Sequence, residues 1–354
     1  MEEQFVAVVQ FIKESRNNAI KSVNTELINL YWNVGGYINQ QVSKRNWGEK
    51  TVDELARFIG KNHPELKGFN RRGLYRMKQF YETYINQPLA SLLYVKRQSA
   101  NNQLDEIVSS PMTQLGINDI RGSILVKISW THHLVLMSRV KSNEEKEFYL
   151  RLCIKENYSV KQLERQINSG LFERTMIGNT KLSPLVREIP DISNSLKDSY
   201  IFEFLNLPKT HSESDLQKGL VGQMKNFILE LGKDFLFMGE EYRVQVGNSD
   251  FYLDLLFYHR GLQCLVNFEL KNDKFKPEYL GKLNFYLEAL DQDIKKPHEN
   301  PSIGILLCND KDSEVVRYAM NRSLSPTMVA EYKTQLPDKK LLQDKLQELI
   351  DGND

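Results

Sequence analysis

Cysteine is scarce in this sequence: its 354 residues include only three, Cys153, Cys264 and Cys308. They are widely spaced and each lies in an apolar run, which indicates reduced core residues rather than a disulfide framework or a zinc site. The sequence has no run of about 18 apolar residues, so we expect no membrane span. Acidic residues precede the first apolar run and no small-residue cleavage site follows it. We therefore expect no signal peptide and a cytoplasmic location.

Net charge is also nearly absent, at +1, so any binding of nucleic acid must come from a local patch. The sequence lacks the G-x-x-x-x-G-K-[ST] loop that holds nucleotide phosphates, which argues against use of ATP. It also lacks the G-x-S-x-G and H-E-x-x-H motifs of serine hydrolases and zinc proteases. Hydrophobic residues at 41% and charged residues at 26% are typical of a globular protein with a well-formed core.

The first part of the chain has the periodicity of packed helices. In residues 25–42, apolar side chains recur at i, i+3, i+4, i+7 and i+11. Asn70 is a good N-cap for a helix over residues 71–85. The stretch near residues 176–195, with Gly178, Pro184 and Pro190, is irregular and indicates a linker. We therefore predict an all-α domain over residues 1–175 and a linker over residues 176–195.

Beyond the linker, segments of strand length alternate with helical segments, which predicts an α/β domain over residues 196–354. The dipeptides Gly247-Asn248 and Arg260-Gly261 separate three of the predicted strands and are signals for hairpin turns. The predicted elements are helices at residues 213–231 and 277–290 and strands at residues 235–246, 251–258, 262–270 and 303–308.

Two carboxylates interrupt the apolar strands of this domain: Asp254 in FYLDLLFY and Glu269 in CLVNFELK. A carboxylate in an apolar strand is costly unless it is paired or binds a metal. With a two-residue turn at Arg260-Gly261, strand pairing would set Asp254 opposite Asn267. Side chains alternate between the two faces of a strand, so Asp254, Glu269 and Lys271 would share one face.

Two carboxylates and a lysine at a sheet edge suit phosphodiester hydrolysis assisted by Mg²⁺ or Mn²⁺. We hypothesise that Asp254, Glu269 and the carbonyl of Leu270 bind the metal. Lys271 would position the attacking water or stabilise the charge on phosphorus. The alternative is a structural Glu–Lys ion pair on an ordinary amphipathic strand.

The residues around this site resemble the YhcG-type family of PD-(D/E)XK nucleases. The similar segments include DFYLDLLFYH and NFELKNDKFKPEYLGKLNFYL in the second half, and YWNVGGYI and GFNRRGLYRMKQFYETY in the first. That family joins a nuclease domain to an uncharacterised helical N-terminal domain, and the resemblance covers nearly the whole chain. It implies a restriction-endonuclease-like fold in which Asp254 is the motif aspartate and Glu269 and Lys271 form its E-x-K.

The resemblance also points to residues on two helices. Many PD-(D/E)XK enzymes add a glutamate from the first core helix, for which Glu213 is the first candidate and Glu230 the second. Glu213 could equally be a charge that the helix dipole favours. Related nucleases carry a Gln-x-x-x-Tyr pair on the next helix. Lys282 and Tyr286 have that spacing, with lysine in place of glutamine, and a contact to phosphate is the role we expect.

A basic segment lies in the helical domain. Residues 61–97 contain eight Lys/Arg and two Asp/Glu. On the helix that follows Asn70, we predict that Arg71, Arg72, Arg76 and Lys78 contact DNA. Cations in a first helical turn oppose the helix dipole, which suggests an anionic partner. With the helix before it, this segment predicts a helix-turn-helix-like unit. The alternative is a solvated basic face.

These observations predict a metal-dependent DNA nuclease with a helical DNA-binding domain. The alternative function is a DNA-binding or assembly subunit that does not cleave, associated with a restriction-modification or mobile-element system. RNA is a less favoured substrate, because clustered aromatic platforms for single-stranded RNA are missing. One active site cuts one strand, so duplex breaks would indicate a homodimer. A restriction-modification protein is a further candidate partner.

Overall fold

The computed structural model describes residues 2–44, 49–85, 119–178, 196–208, 210–321, 323 and 325–351. The chain divides into two compact units, Met1–Ile167 and Asn168–Asp354. Residues 168–177 therefore group with the second unit, although the sequence suggested a domain end at residue 175. Of the predicted linker, residues 179–195 lie outside the described residues. No helix within the described ranges combines the length and apolarity that a membrane span requires.

The first unit is all-helical where it is described, and glycine determines how its first and third helices pack. A side chain on Gly35 of α1 (Glu2–Ser43) would lie 2.0 Å from the carbonyl oxygen of Met77 on α3 (Arg71–Ile85), so the two backbones approach closely only because Gly35 has no Cβ. The helices of this unit are α1 (Glu2–Ser43), α2 (Glu49–Asn62), α3 (Arg71–Ile85), α4 (Trp130–Arg139), α5 (Asn143–Glu156) and α6 (Val160–Asn168), with a 3-10 turn at Ile124–Lys127.

Helices α2 and α3 form the predicted helical pair. Helix α3 begins at the predicted residue, where the Asn70 side chain accepts a hydrogen bond from the backbone N–H of Gly73 at 2.9 Å. The connection from His63 to Asn70 is eight residues long. A compact helix-turn-helix uses a turn of three or four residues, so this pair departs from that motif in its connection.

The second unit is built on a six-stranded mixed sheet with strand order β1-β6-β5-β4-β3-β2. Strands β2, β3 and β4 are antiparallel neighbours, and β4, β5, β6 and β1 pair in parallel. The elements in chain order are α7 (Leu171–Ile177), β1 (Ser199–Ile201), α8 (Glu213–Gly222), α9 (Met224–Leu231), β2 (Phe235–Val246), β3 (Ser249–His259), β4 (Cys264–Leu270), α10 (Tyr279–Ala289), β5 (Ile303–Cys308), α11 (Ser313–Met320), β6 (Thr327–Lys333) and α12 (Lys339–Asp351).

Helices cover both faces of this sheet. On one face, α8 and α9 pack against a core that includes Phe227, Phe257 and Phe268, whose ring centroids lie 5.4–5.9 Å apart. On the other face, α10 and α11 pack against β4, β5 and β6. The predicted fold class, an all-α region followed by an α/β domain, is therefore confirmed.

The predicted turn between β3 and β4 is wrong in length. His259 pairs with Cys264, so four residues, 260–263, connect the strands instead of two. Leu262 is buried in the core beneath α8 and α9, and its backbone N–H donates to Nδ1 of His259 at 3.0 Å. Burial of Leu262 therefore removes it from strand pairing, and the register shifts by two residues.

One other predicted element differs, and two strands were missed. The helix expected over residues 213–231 is broken at Gln223, whose ψ of 30° is not helical and which ends α8 and precedes α9. Strands β1 and β6 were not predicted. They pair in parallel with Ser199 beside Glu331, and such distant partners leave no local pattern in the sequence.

Candidate functional site

Asp254 and Glu269 meet across β3 and β4. The regular pairing of β3 with β4 ends at Leu255 and Phe268, one residue short of Asp254 and Glu269. The Oδ2 atom of Asp254 accepts a hydrogen bond from the backbone N–H of Leu270 at 2.7 Å. After burial, the charge of Glu269 contributes most to the raised pKa of Asp254, so the two carboxylates are close neighbours at the end of this pairing.

Strand β3 is irregular at Asp254. Leu253 and Leu256 pack in the same core cluster, although residues three apart in a regular strand point to opposite faces. Across from this point on β2, Glu241 adopts a positive φ of 45°. The side-chain amide of Gln217 donates to Oε1 of Glu241 at 2.9 Å and to the carbonyl of Asp254 at 3.0 Å. Gln217 was not among the predicted site residues, although it lies four residues after Glu213 on α8 and therefore on the same helix face.

Glu269 is fully buried and receives two lysines on one oxygen. Its Oε1 lies 2.6 Å from Nζ of Lys282 on α10 and 3.1 Å from Nζ of Lys271. Lys282 is 47% exposed and Lys271 is 13% exposed, so Lys282 reaches the carboxylate from the surface. Charge pairing of this kind is what makes a buried carboxylate tolerable in a strand.

The ammonium group of Lys271 lies among three oxygens. It donates to the carbonyl of Leu270 at 2.7 Å, contacts Oε2 of Glu213 at 3.2 Å, and contacts Glu269 as above. Glu213 is the first residue of α8, and the Ser212 capping box with Asp215 fixes the start of that helix. The structure therefore brings Glu213, Leu270 and Lys271 together with the carboxylate pair.

The carboxylate pair perturbs the electrostatics of the site. Burial and the nearby charge of Glu269 raise the pKa of Asp254 from 3.8 to about 6, against the opposing effects of the Leu270 N–H and the two lysines. Burial is the largest single effect on the pKa of Lys271 and lowers it, but the charges and hydrogen bonds of Glu269 and Glu213 together raise that pKa. Burial also lowers the pKa of Lys282, and the hydrogen bond and charge of Glu269 together with the charge of Asp254 raise it above its usual value. A cation is therefore strongly favoured beside Glu269.

The donor set fits a hard divalent cation. The oxygens around Lys271 belong to two carboxylates and one backbone carbonyl, with Asp254 adjacent, and Mg²⁺ and Mn²⁺ prefer such ligands. Among the described residues, no group of three or more His, Cys, Asp or Glu could hold a metal by itself. Mg²⁺ commonly takes one or two protein carboxylates and completes its shell with water and phosphate oxygens, so a pair is compatible with this ion.

Glu230, the second candidate for the helix-borne glutamate, is outside the site. It is fully buried on α9, where Oε1 accepts from the backbone N–H of Ile201 at 3.1 Å. Lys197 and Arg174 lie 3.6 and 3.9 Å from that oxygen. These contacts give Glu230 a structural position at the start of the sheet, so this expectation is wrong.

On α10, the Lys282 and Tyr286 pair adjoins the carboxylates but the two residues differ in accessibility. Nζ of Lys282 lies 5.2 Å from the centroid of the Tyr286 ring. Tyr286 is only 4% exposed and belongs to the core beneath α10. Lys282 is thus the member of this pair that reaches both solvent and Glu269.

On α3, the four predicted DNA contacts are all on one helix but differ in their partners. Arg71 donates to Asp53 of α2 at 2.7 Å, which offsets the unfavourable position of a cation in the first helical turn. Lys78 donates to Glu82 at 2.7 Å and its side chain is 21% exposed. Arg72 and Arg76 have no acidic partner among the described residues, which leaves them the most available cations of the four.

Comparisons with known proteins agree with this architecture. The family model for the YhcG PDDEXK nuclease domain matches residues 193–347, and the model for the DUF1016 N-terminal domain matches residues 7–174. The protein named "Putative nuclease YhcG" of Escherichia coli (strain K12) is 30% identical over 354 residues, which cover 96% of this chain and 92% of that protein.

Two solved structures overlap with part of the chain. A repair endonuclease from Pyrococcus abyssi aligns with a TM-score of 0.26 and 15% identity over 36% of this chain and 49% of that chain. The EndoMS complex with double-stranded DNA aligns with a TM-score of 0.25 and 17% identity over 37% of this chain and 48% of that chain. These overlaps are too small to support a conclusion. The similarity to the Escherichia coli relative over nearly the whole chain and the matches to the two family models show that the chain belongs to the YhcG family. In this family a DUF1016-type helical domain precedes a PD-(D/E)XK nuclease domain.

Proposed function

We propose that this protein is a metal-dependent DNA nuclease that hydrolyses phosphodiester bonds at the Asp254–Glu269 site. The observation that carries the proposal is the buried carboxylate pair with a lysine ammonium held among the oxygens of Glu213, Glu269 and Leu270. A site that holds one cation among these oxygens has the donors that Mg²⁺ or Mn²⁺ requires.

In this proposal, Asp254, Glu269 and the carbonyl of Leu270 would hold the metal. Mg²⁺ or Mn²⁺ held there would lower the pKa of a water and neutralise charge on the scissile phosphate. Lys271 donates hydrogen bonds to the phosphate or orients the attacking water, and Glu213 orients the ammonium group of Lys271. Lys282, which is half-exposed beside Glu269, contacts the DNA phosphate with the Tyr286 ring packed against it.

We also propose that the helical domain binds DNA through α3. Arg72 and Arg76 supply the principal phosphate or base contacts, because Arg71 and Lys78 already pair with Asp53 and Glu82. Cationic side chains on one helix contribute to affinity mainly by releasing counterions from the DNA backbone. Local placement of this charge accounts for binding by a chain with a net charge of only +1.

Cleavage of supercoiled and linear DNA tests the first proposal. We expect Mg²⁺ or Mn²⁺ to support nicking by the wild type and EDTA to abolish it. Glu269→Gln and Lys271→Ala should each reduce cleavage by at least about 100-fold, the scale of loss when a group that stabilises transition-state charge is removed. The matched controls are Glu288→Gln, an exposed carboxylate on α10, and Lys274→Ala, whose side chain is 55% exposed. Equal losses in variants and controls would contradict the assignment.

Fluorescence anisotropy with labelled DNA at several salt concentrations tests the second proposal. The double variant Arg72→Ala/Arg76→Ala should bind more weakly and lower the slope of log K against log[salt] by about 2. Arg151→Ala on α5, which removes a side chain that is 60% exposed, is the control. An unchanged slope would remove α3 from the DNA interface.

A non-cleaving DNA-binding or assembly subunit is the second candidate function. The observation that favours it is that Lys271 and Lys282 already pair with Glu269, so the buried charge is satisfied by the chain's own lysines. Wild-type protein that binds DNA but neither cleaves it nor takes up Mn²⁺ would support this alternative.

A further inference from the structure

Asn267 is a buried polar residue on the same strand and the same face as Glu269. Strand β4 is buried along its whole length, and Asn267 is 0% exposed. Neither the Nδ2 nor the Oδ1 atom of its side chain has a hydrogen-bond partner among the residues that the structure describes. An amide in this position is destabilising unless something satisfies it, because burial removes its hydrogen bonds to water.

The surroundings of Asn267 do not supply that partner. Its neighbour on β5 is Gly304, which has no side chain. Leu283 of α10 fills the space above Gly304, since a Cβ there would lie 2.8 Å from Leu283 Cγ. An apolar side chain would suit such a position better than an amide. The polar residue therefore needs an explanation outside the packing of the core.

Glu269, which lies on the same face of β4, also has an unsatisfied side-chain atom. Its Oε1 contacts Lys271 and Lys282, but its Oε2 is buried without a hydrogen-bond partner in the described part of the chain. Alternate residues of a strand lie roughly 6.6 Å apart. One water that hydrogen bonds two groups spans up to about 5.8 Å between them. The two side chains therefore need to lean towards each other by only about 1 Å for a single water to bridge the Asn267 amide and Oε2 of Glu269.

We propose that Asn267 is a positioning residue that, through one buried water, hydrogen bonds Oε2 of Glu269 and so directs Oε1 towards the bound metal. This inference rests on the proposed function, because it assigns the metal to Glu269. The water donates to Oε2 and to Oδ1 of Asn267 and accepts from Nδ2. With Oε2 held in this way, the carboxylate cannot rotate about its terminal bond, and the outward oxygen faces the site. Hydrogen bonds behind a metal ligand have this orienting effect.

Calorimetric titration of the full-length protein with Mn²⁺ alone tests the inference. Asn267→Leu keeps the branched shape of the side chain and replaces the amide oxygen and nitrogen with methyl groups. We expect it to weaken Mn²⁺ binding by about 10- to 100-fold, the usual effect of losing a group that orients a metal ligand, while the melting temperature stays the same or rises. Asn267→Ser, which keeps a hydroxyl and leaves room for a second water, should recover most of the affinity. Wild-type affinity in Asn267→Leu would overturn the inference.

The matched control is Ser302→Ala. The hydroxyl of Ser302 is also buried and unsatisfied among the described residues. Ser302 lies four residues before Leu306, the β5 partner of Glu269, whereas the partner of Asn267 lies two residues before it. We expect this variant to bind Mn²⁺ as the wild type does. An equal loss of Mn²⁺ affinity in Ser302→Ala and Asn267→Leu would show a general effect of the core and overturn the specific role of Asn267.

A crystal structure of the wild type separates this inference from the proposed function. We expect an ordered water within hydrogen-bond distance of both Asn267 and Oε2 of Glu269, and its loss in Asn267→Leu. Tight Mn²⁺ binding without that water would overturn the role of Asn267 and leave the proposed function intact. A wild type that takes up no Mn²⁺ would overturn the proposed function, and with it the role that we give to Asn267.

Discussion

Replacing Asp254 with asparagine should stabilise the metal-free protein, although it removes a partly buried, hydrogen-bonded carboxylate. Burial and the Glu269 charge raise the pKa of Asp254 from 3.8 to about 6. The folded chain therefore holds this proton more tightly than the unfolded chain does. The stabilising effect of the neutral form is present below about pH 4 and is lost as the pH rises through about 6. At pH 8 the wild type carries the full electrostatic cost of the pair.

The magnitude follows from the shift in pKa. The difference between 3.8 and about 6 corresponds to about 3 kcal/mol. Asp254 is partly exposed, and solvent screens part of that cost. The asparagine oxygen can still accept the hydrogen bond from the Leu270 N–H. We therefore expect Asp254→Asn to raise the free energy of unfolding at pH 8 by about 1 to 3 kcal/mol, and to have little effect near pH 4.

Calorimetry of the full-length protein in EDTA measures this effect. All three tryptophans, Trp32, Trp47 and Trp130, lie in the helical unit. Tryptophan fluorescence therefore reports unfolding of the helical unit. A calorimetric transition without a matching change in fluorescence belongs to the sheet domain. In a unit of this size, each kcal/mol shifts the melting temperature by about 2–4 °C.

Asp250→Asn is the matched control for this variant. It makes the same change on the same strand at an exposed position, where Asp250 pairs with Arg243 at 2.8 Å. We expect this control to change stability by less than about 1 kcal/mol. If Asp254→Asn lost 2 kcal/mol or more at pH 8 (about the effect of breaking a structural ion pair), the reasoning from carboxylate repulsion would be refuted.

Three other substitutions test the packing and the charges on which the account depends. Gly35→Ala should destabilise the helical unit by about 2 kcal/mol or more, because its Cβ would lie 2.0 Å from the Met77 carbonyl oxygen. In the control Gly60→Ala, the added Cβ meets nothing within 4 Å, so this change should be neutral or stabilising. Urea unfolding followed by tryptophan fluorescence measures both variants. Burial lowers the pKa of His133 to about 4, so the stability that this residue confers is present above about pH 6.5 and is lost as the pH falls towards 4. We expect the helical unit to lose about 3 kcal/mol of stability over that range. The variant His133→Gln should lack this pH dependence, and the same pH profile in the variant would contradict the assignment. Glu230→Gln should cost about 3 kcal/mol in the sheet domain by calorimetry, because it removes the buried negative charge that Lys197 and Arg174 approach. The same variant should leave Mn²⁺ affinity unchanged, and weaker Mn²⁺ binding would return Glu230 to the site.

The sequence was informative about the site because side-chain alternation depends only on the parity of the loop. The predicted loop was two residues and the observed loop is four, and either length keeps the regularly paired residues on their predicted faces. The approach of Asp254 to Glu269 also depends on the irregularity of β3 beside Leu253. Strand β2 likewise begins at Phe235 and ends at Val246 as expected. These features follow from local patterns of apolar residues and turns.

The remaining features depend on tertiary packing that a local pattern does not contain. Burial of Leu262 sets the loop length, and contacts with Ile201 and Lys197 decide that Glu230 is structural. Parallel pairing of β1 with β6 joins segments more than 120 residues apart. The approach of Lys282 to Glu269 at 2.6 Å depends on how α10 packs on the sheet, and spacing along the helix could not predict it.

Direct measurement of Mn²⁺ binding to the wild type and to Glu269→Gln is the most direct test of the central claim that the carboxylate pair is a metal site. Glu288→Gln on α10 serves as the control for the loss of one carboxylate. We predict that the wild type and Glu288→Gln bind Mn²⁺ with the same affinity, and that Glu269→Gln loses binding while it remains folded. Equal Mn²⁺ binding by Glu269→Gln and the wild type would contradict the account.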